Sequence, residues 1–161
     1  MASCIGFSQT GYAGNDIVLY LMLNHYLTFL NQVSMSFVKI WVHLVFSTKN
    51  RQPLIHTNFK SQLYTHIRAN CKEKGIYLKE IDGHVEHIHC LISLGKDQTI
   101  SKVTQLIKGE SSFWINREGF TKESFSWQDD YFAVSVSESQ VEAVTNYIRN
   151  QEKASCKKIF Q

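Results

Sequence analysis

The nine residues Glu86-His87-Ile88-His89-Cys90-Leu91-Ile92-Ser93-Leu94 constrain this chain more than any other stretch. Apolar side chains at every second position predict a strand with one wholly apolar face, made of Ile88, Cys90, Ile92 and Leu94. The same alternation puts His87, His89, Leu91 and Ser93 on the other face. One face is therefore committed to a core, while the other holds two imidazoles at a spacing that suits a single metal ion. From these residues alone two readings stay open: half of a metal site, or a histidine pair on a solvated sheet face.

The neighbouring patterns supply the rest of a fold. Phe37 to Phe46 alternates, with Val38, Ile40, Val42, Leu44 and Phe46 on one face and Lys39, Trp41 and His43 on the other. A helix follows from about Asn58, its stripe formed by Phe59, Leu63, Ile67 and Cys71, with Gly75 as its stop. Ile76 to Ile81 reads as a strand, and Asp82-Gly83 as the hairpin turn into the histidine strand. Thr99 caps a second helix whose stripe is Ile100, Val103, Ile107 and Trp114. A polar loop, 119–130, leads to a strand from Tyr131 to Val136. Ser137 and Gln140 have capping-box spacing and open a last helix running to about Lys158. The order β-α-β-β-α-β plus a helix predicts an α+β, ferredoxin-like (RRM-like) split β-α-β fold with an antiparallel sheet. That fold hosts many functions and names none.

At 161 residues the chain has room for one domain with a real core. Residues 1–38 contain Asp16 and no Lys or Arg, so all 17 basic residues lie from Lys39 onward, against 13 acidic ones, a net of +4. A mildly basic domain is compatible with nucleic acid without requiring it. The apolar run Ile17–Leu23 is too short and too soon interrupted for a membrane span, and no positive segment precedes it as a secretory signal would need. Residues 1–34 read as an N-terminal extension upstream of a start at Met35, or as a short extra helix, and residues 35–161 as the single domain. Cys4, Cys71, Cys90 and Cys156 are widely spaced with no C-x-x-C pair, which points to a reduced, cytoplasmic protein.

Tyr147 and Gln151 stand four apart and share a helical face, beside the docking stripe Val141, Val144 and Ile148. A helical tyrosine is ordinarily an amphipathic residue at the edge of a core. With the histidines, however, the parts fit one chemistry. A tyrosine hydroxyl can attack a phosphodiester, splitting strand transfer into two reversible steps. Two imidazoles and an amide oxygen can hold the divalent cation that neutralises the phosphate.

Five blocks then resemble one family, the single-tyrosine HUH transposases of the insertion sequence 200/605 type. They are Phe46-Ser47-Thr48-Lys49-Asn50-Arg51, Glu86 to Ser93, Leu106-Ile107-Lys108-Gly109-Glu110-Ser111-Ser112, Trp127 to Ser137, and Tyr147-Ile148-Arg149-Asn150-Gln151. The likeness covers roughly residues 36–160, in order. It implies cleavage and rejoining of single-stranded DNA, with Tyr147 forming a covalent 5′-phosphotyrosine and freeing a 3′-hydroxyl. It implies His87, His89 and Gln151 as metal ligands for Mg²⁺ or Mn²⁺, and no nucleotide cofactor. It further implies recognition of hairpins near the ends of an insertion sequence, and a homodimer whose tyrosine helices can complete each other's sites. Val85-Glu86 stand where the family often has Pro-Asp; alternation puts Glu86 on the core-side face, and His84 near the hairpin.

Lys49, Arg51, Lys102 and Lys108 are candidate phosphate contacts, an ordinary solvated surface being the alternative for each. His43 is read as facing solvent, with an approach to DNA as the alternative. Phe125 and Trp127 are read as anchors of their loop, with base stacking as the alternative, and Tyr64 and Tyr131 as packing residues.

Overall fold

The structure, a computed structural model, describes Met22 and residues 38–151. The expectations for residues 1–34, and for the last helix beyond Gln151, lie outside the described residues.

Alternating apolar residues build four strands, β1 (Ile40–Ser47), β2 (Tyr77–Gly83), β3 (His87–Leu94) and β4 (Phe132–Val136). They form one antiparallel sheet in the order β2-β3-β1-β4. Helices α1 (Thr57–Glu73) and α2 (Ile100–Glu118) cover one face, and α3 (Val141–Arg149) packs on the other. This is the α+β, split β-α-β arrangement the element order predicts, with its extra C-terminal helix.

The covered face is the core. Val42, Leu44 and Phe46 of β1 and Ile88, Cys90 and Ile92 of β3 meet Phe59, Leu63, Ile67 and Cys71 of α1 and Val103, Ile107 and Ile115 of α2. Each fully buried aliphatic or aromatic side chain here contributes roughly 1.5–3 kcal/mol. Cys71 and Cys90 are free thiols within this core, and burial pushes the Cys71 thiol up to about 11. Gly75, at φ +65°, ends α1, and the Thr99 hydroxyl accepts from the Lys102 N–H to cap α2. Phe125 and Trp127 are buried, and the Trp127 indole donates to Ser111 Oγ at 3.0 Å, so both anchor their loop.

Three details depart from the sequence reading. Asp82 and Gly83 belong to β2, and residues 84–86 form the loop of the hairpin instead. Gly83 is there for space: a Cβ would lie 2.1 Å from the His87 carbonyl oxygen. A bulge at Lys79 shifts the register of β2 between Leu78 and Glu80. Strict alternation would have turned Glu80 into the core and Ile81 out of it. The extra residue reverses this, pairing Ile81 with Cys90 and Glu80 with Leu91. Finally, the Ser137–Gln140 capping box does not form. Residues Glu138–Gln140 make a 3-10 turn with no side-chain cap, and α3 begins at Val141.

Candidate active site

The α3 face of the sheet carries the histidines. His87 and His89 lie on β3 with ring centroids 5.0 Å apart; His89 is buried and His87 partly so. Tyr147 of α3 stands edge-on to His89 at 5.8 Å and to His43 at 6.0 Å between centroids. It keeps 54% of its surface exposed, so a substrate can reach it. One turn on, Gln151 is buried, with its Nε2 3.5 Å from the Tyr147 carbonyl. Residues from two distant parts of the chain thus meet because α3 folds back over β2 and β3, with Trp41 of β1 reaching it.

Three sets of contacts fix that helix. Val141 and Ile148 bury against Trp41 and Leu91. At the entry to α3, Glu138 accepts from Lys39 Nζ (2.6 Å) and the Trp41 indole (2.7 Å). At its end, Arg149 donates to Glu80, whose other oxygen accepts from Arg68 of α1. Burial pushes the Glu80 carboxyl up, but hydrogen bonds from Arg149, the Ile81 N–H and Arg68 outweigh it and hold the group below its usual range. In this chain, then, Tyr147 lies beside the chain's own histidines.

His43 is the residue sequence reading misjudged. It is half-buried, with Nε2 2.9 Å from His89 Nδ1 and the two rings stacked at 5.1 Å. Alternation already put it on the histidine face. What was missing was the register, which sets His43 opposite Leu91 and so diagonal to His89. When His89 donates from Nδ1 to His43, its Nε2 lone pair is left free. A partner on the second ring nitrogen is how proteins orient ligand histidines.

Burial keeps these imidazoles neutral. It lowers His43 and His87, and it pushes His89 down to about 4, helped by the proximity of His87 and His43. Neutral imidazole is the ligand form. Among the described residues, no group of three or more His, Cys, Asp or Glu is gathered as a metal cluster. The set expected here reaches three only through the amide of Gln151. Glu86, expected on the core side, instead sits in the hairpin loop with Oε1 3.7 Å from His87 Nδ1.

Beside the histidines a groove of about 820 Å³ opens, lined by Asn50, Arg51, His87, His89, Gln128 and Phe132 among others. Asn50 and Arg51 both take left-handed backbone angles (φ +54° and +53°), a strained pair held by the Asn50 N–H donating to Gln128 Oε1. Arg51 lies at the rim with Nη1 3.9 Å from Glu86 Oε1, while Lys49 Nζ is 3.1 Å from Asp129. Lys108 donates to the carbonyls of Gln128 and Asp129, so it secures the loop between α2 and β4. Lys102 is exposed on α2, bonded to Gln105.

No curated protein sequence matches the chain. Among solved structures, it is similar to a suspected transposase from Deinococcus radiodurans R1, with a TM-score of 0.60 and 21% identity over 74% of this chain and 96% of that one. It is also similar to a REP-associated tyrosine transposase bound to a REP hairpin, with a TM-score of 0.54 and 17% identity over 74% and 70% of the two chains. At these identities the likeness is one of fold. Residues 36–151 match the family described as Transposase IS200 like. The chain belongs to the IS200-like transposase family.

Proposed function

We propose that the protein cleaves and rejoins single-stranded DNA through Tyr147. The observation that carries this reading is the Tyr147 ring standing exposed and edge-on to His89, on a helix anchored at both ends. The Tyr147 Oη attacks a backbone phosphorus, the P–O3′ bond breaks, and a 5′-phosphotyrosine and a free 3′-hydroxyl result. The phenolic proton leaves to solvent, and the departing 3′-oxygen takes one up. Attack by that hydroxyl on the phosphotyrosine reverses the step and rejoins a strand.

His87, His89 and Gln151 would hold the divalent cation. When bound, the cation neutralises phosphate charge and polarises the reacting phosphorus. Two neutral imidazoles and a carboxamide fit Mn²⁺ better than Mg²⁺, which prefers an all-oxygen shell. His43 orients His89, and α3 keeps Tyr147 over the pair.

Hairpin-bearing DNA is the proposed substrate, supported by the similar REP-associated transposase bound to a REP hairpin. That likeness also favours a second reading, a repeat-associated nuclease of the same chemistry. DNA flanking the gene separates them, since a mobile copy lies between subterminal hairpins. A homodimer joined at the sheet edge is supported by β4, which among the described residues pairs only with β1 and leaves Phe132 and Val134 exposed. A cytoplasmic setting is supported by the two free core thiols. Among the described residues, no helix is long and apolar enough to cross a membrane.

The test is incubation of the full chain with labelled hairpin DNA and Mn²⁺. A denaturation-resistant protein–DNA band is expected, lost in Tyr147→Phe and reduced in His87→Ala. A band that persists in Tyr147→Phe defeats the nucleophile assignment.

A further inference from the structure

A second groove, of about 550 Å³, runs along α2 and has no part in the chemistry above. Its walls are hydroxyl and amide side chains, Ser101, Gln105, Ser112 and Ser126, around the exposed Gly109. Thr104 forms its floor, buried and with a hydroxyl that has no hydrogen-bond partner among the described residues.

Gly109 is the informative residue. It lies in the middle of a 19-residue helix, where glycine is the least favourable residue after proline. Packing does not explain it, because a Cβ built there meets nothing within 4 Å. Nor does backbone angle, since its φ is not positive. What glycine does at this position is leave the groove open to close approach by something outside the chain.

The groove's chemistry selects the visitor. Uncharged hydroxyl and amide groups are common partners of phosphate and sugar oxygens along a nucleic-acid backbone. Its two ionic residues are already engaged, Lys108 with loop carbonyls and Asp129 with Lys49. It also adjoins the histidine groove. The loop that ends in Asp129, Asp130 and Tyr131 separates the two, and the part-exposed Tyr131 lines both. An aromatic ring between two grooves can stack a base as a strand passes over it.

We propose that the Gly109 groove carries the single strand onward from the cleavage point, with its backbone against α2 and a base stacked on Tyr131. This deepens the Tyr147 reading and rests on it, since it takes the strand in the histidine groove as its starting point.

The experiment measures binding of fluorescein-labelled single-stranded DNA to the full chain at two lengths. One oligonucleotide has about 5 nucleotides, enough for the histidine groove alone, and one about 16, extended on both sides. Gly109→Leu fills the groove while supplying a better helix former, so its thermal midpoint should match or exceed that of the parent. Its affinity for the long strand should fall about tenfold or more, the loss of one stacked base with its backbone contacts. Its affinity for the short one should be unchanged. Ser101→Leu obstructs the same groove from another turn and should show the same split, so the result does not hang on one variant folding well. Equal affinities for the long strand, or equal losses for both lengths, overturn the proposal. Absence of any Tyr147 adduct with either DNA would instead defeat the reading of function, and the length dependence would still report on the groove.

Discussion

The two faces of the sheet are made from alternate residues of the same strands, yet they are built to different ends. On the α1/α2 face, Leu44, Ile88, Cys90 and Ile92 are fully buried among helix side chains. On the α3 face Trp41, Leu91 and His89 are buried, and beside them stand half-buried His43 and exposed Tyr147. The first face concentrates apolar burial, which stabilises in proportion to area and asks for no particular geometry. The second gives up area for groups that must keep a proton state and a direction. The lesson is a division of labour: residues one apart in sequence should fail in different ways.

That division can be broken at three points, taken from the largest effect down. Leu44→Ala removes a fully buried side chain from the first face and should destabilise by about 2–5 kcal/mol, measured by urea unfolding. Adduct formation per folded molecule should survive; if it is lost with stability intact, the faces are not independent. His43→Ala, one residue away, should do the reverse. Its stability should change little, while Mn²⁺ affinity drops about 10- to 100-fold, read from the spectrum of free Mn²⁺. His43→Asn, which keeps an acceptor, should recover part of that. Unchanged affinity in His43→Ala would reduce the 2.9 Å contact to simple packing.

The smallest effect concerns pH. His89 has a folded value near 4 against an ordinary 6.5, so below pH 6.5 the unfolded chain takes up a proton that the folded one refuses. Stability therefore falls as pH drops from about 6.5 to about 4 and is fully present above that range. His43 and His87, also lowered by burial, act in the same sense. Denaturant midpoints at pH 7 and pH 5, taken with a chelator present, should differ less in His89→Gln than in the parent. An equal difference would mean the α3 face admits water more freely than the packing of His89 suggests.

Much of this was legible before any coordinates. Alternation alone assigned the faces of β1 and β3, including His43, and the fourfold stripe of α1 was buried as read. What one-dimensional patterns lack is register. The diagonal meeting of His43 with His89 depends on which residue of β1 faces which of β3. The bulge at Lys79 is a second case, since it obeys the core's need for Ile81 over the local period. Asp82-Gly83 misled because a strong turn pair also suits a strand end where a neighbouring carbonyl comes close. Nothing in the one-dimensional pattern singles out Glu80, Arg149 or Glu138, and only tertiary structure reveals them as the anchors of α3.

Those anchors have a consequence for how the protein meets its surroundings. A helix of nine residues does not persist in water by itself. The existence of α3, and not only its position, therefore leans on neighbours. Its terminal contacts are ionic and partly open to solvent at Arg149 and Glu138, within reach of dissolved ions. Salt thus acts on this protein twice, once on attraction for the proposed DNA substrate and once on the segment that carries Tyr147, the proposed nucleophile.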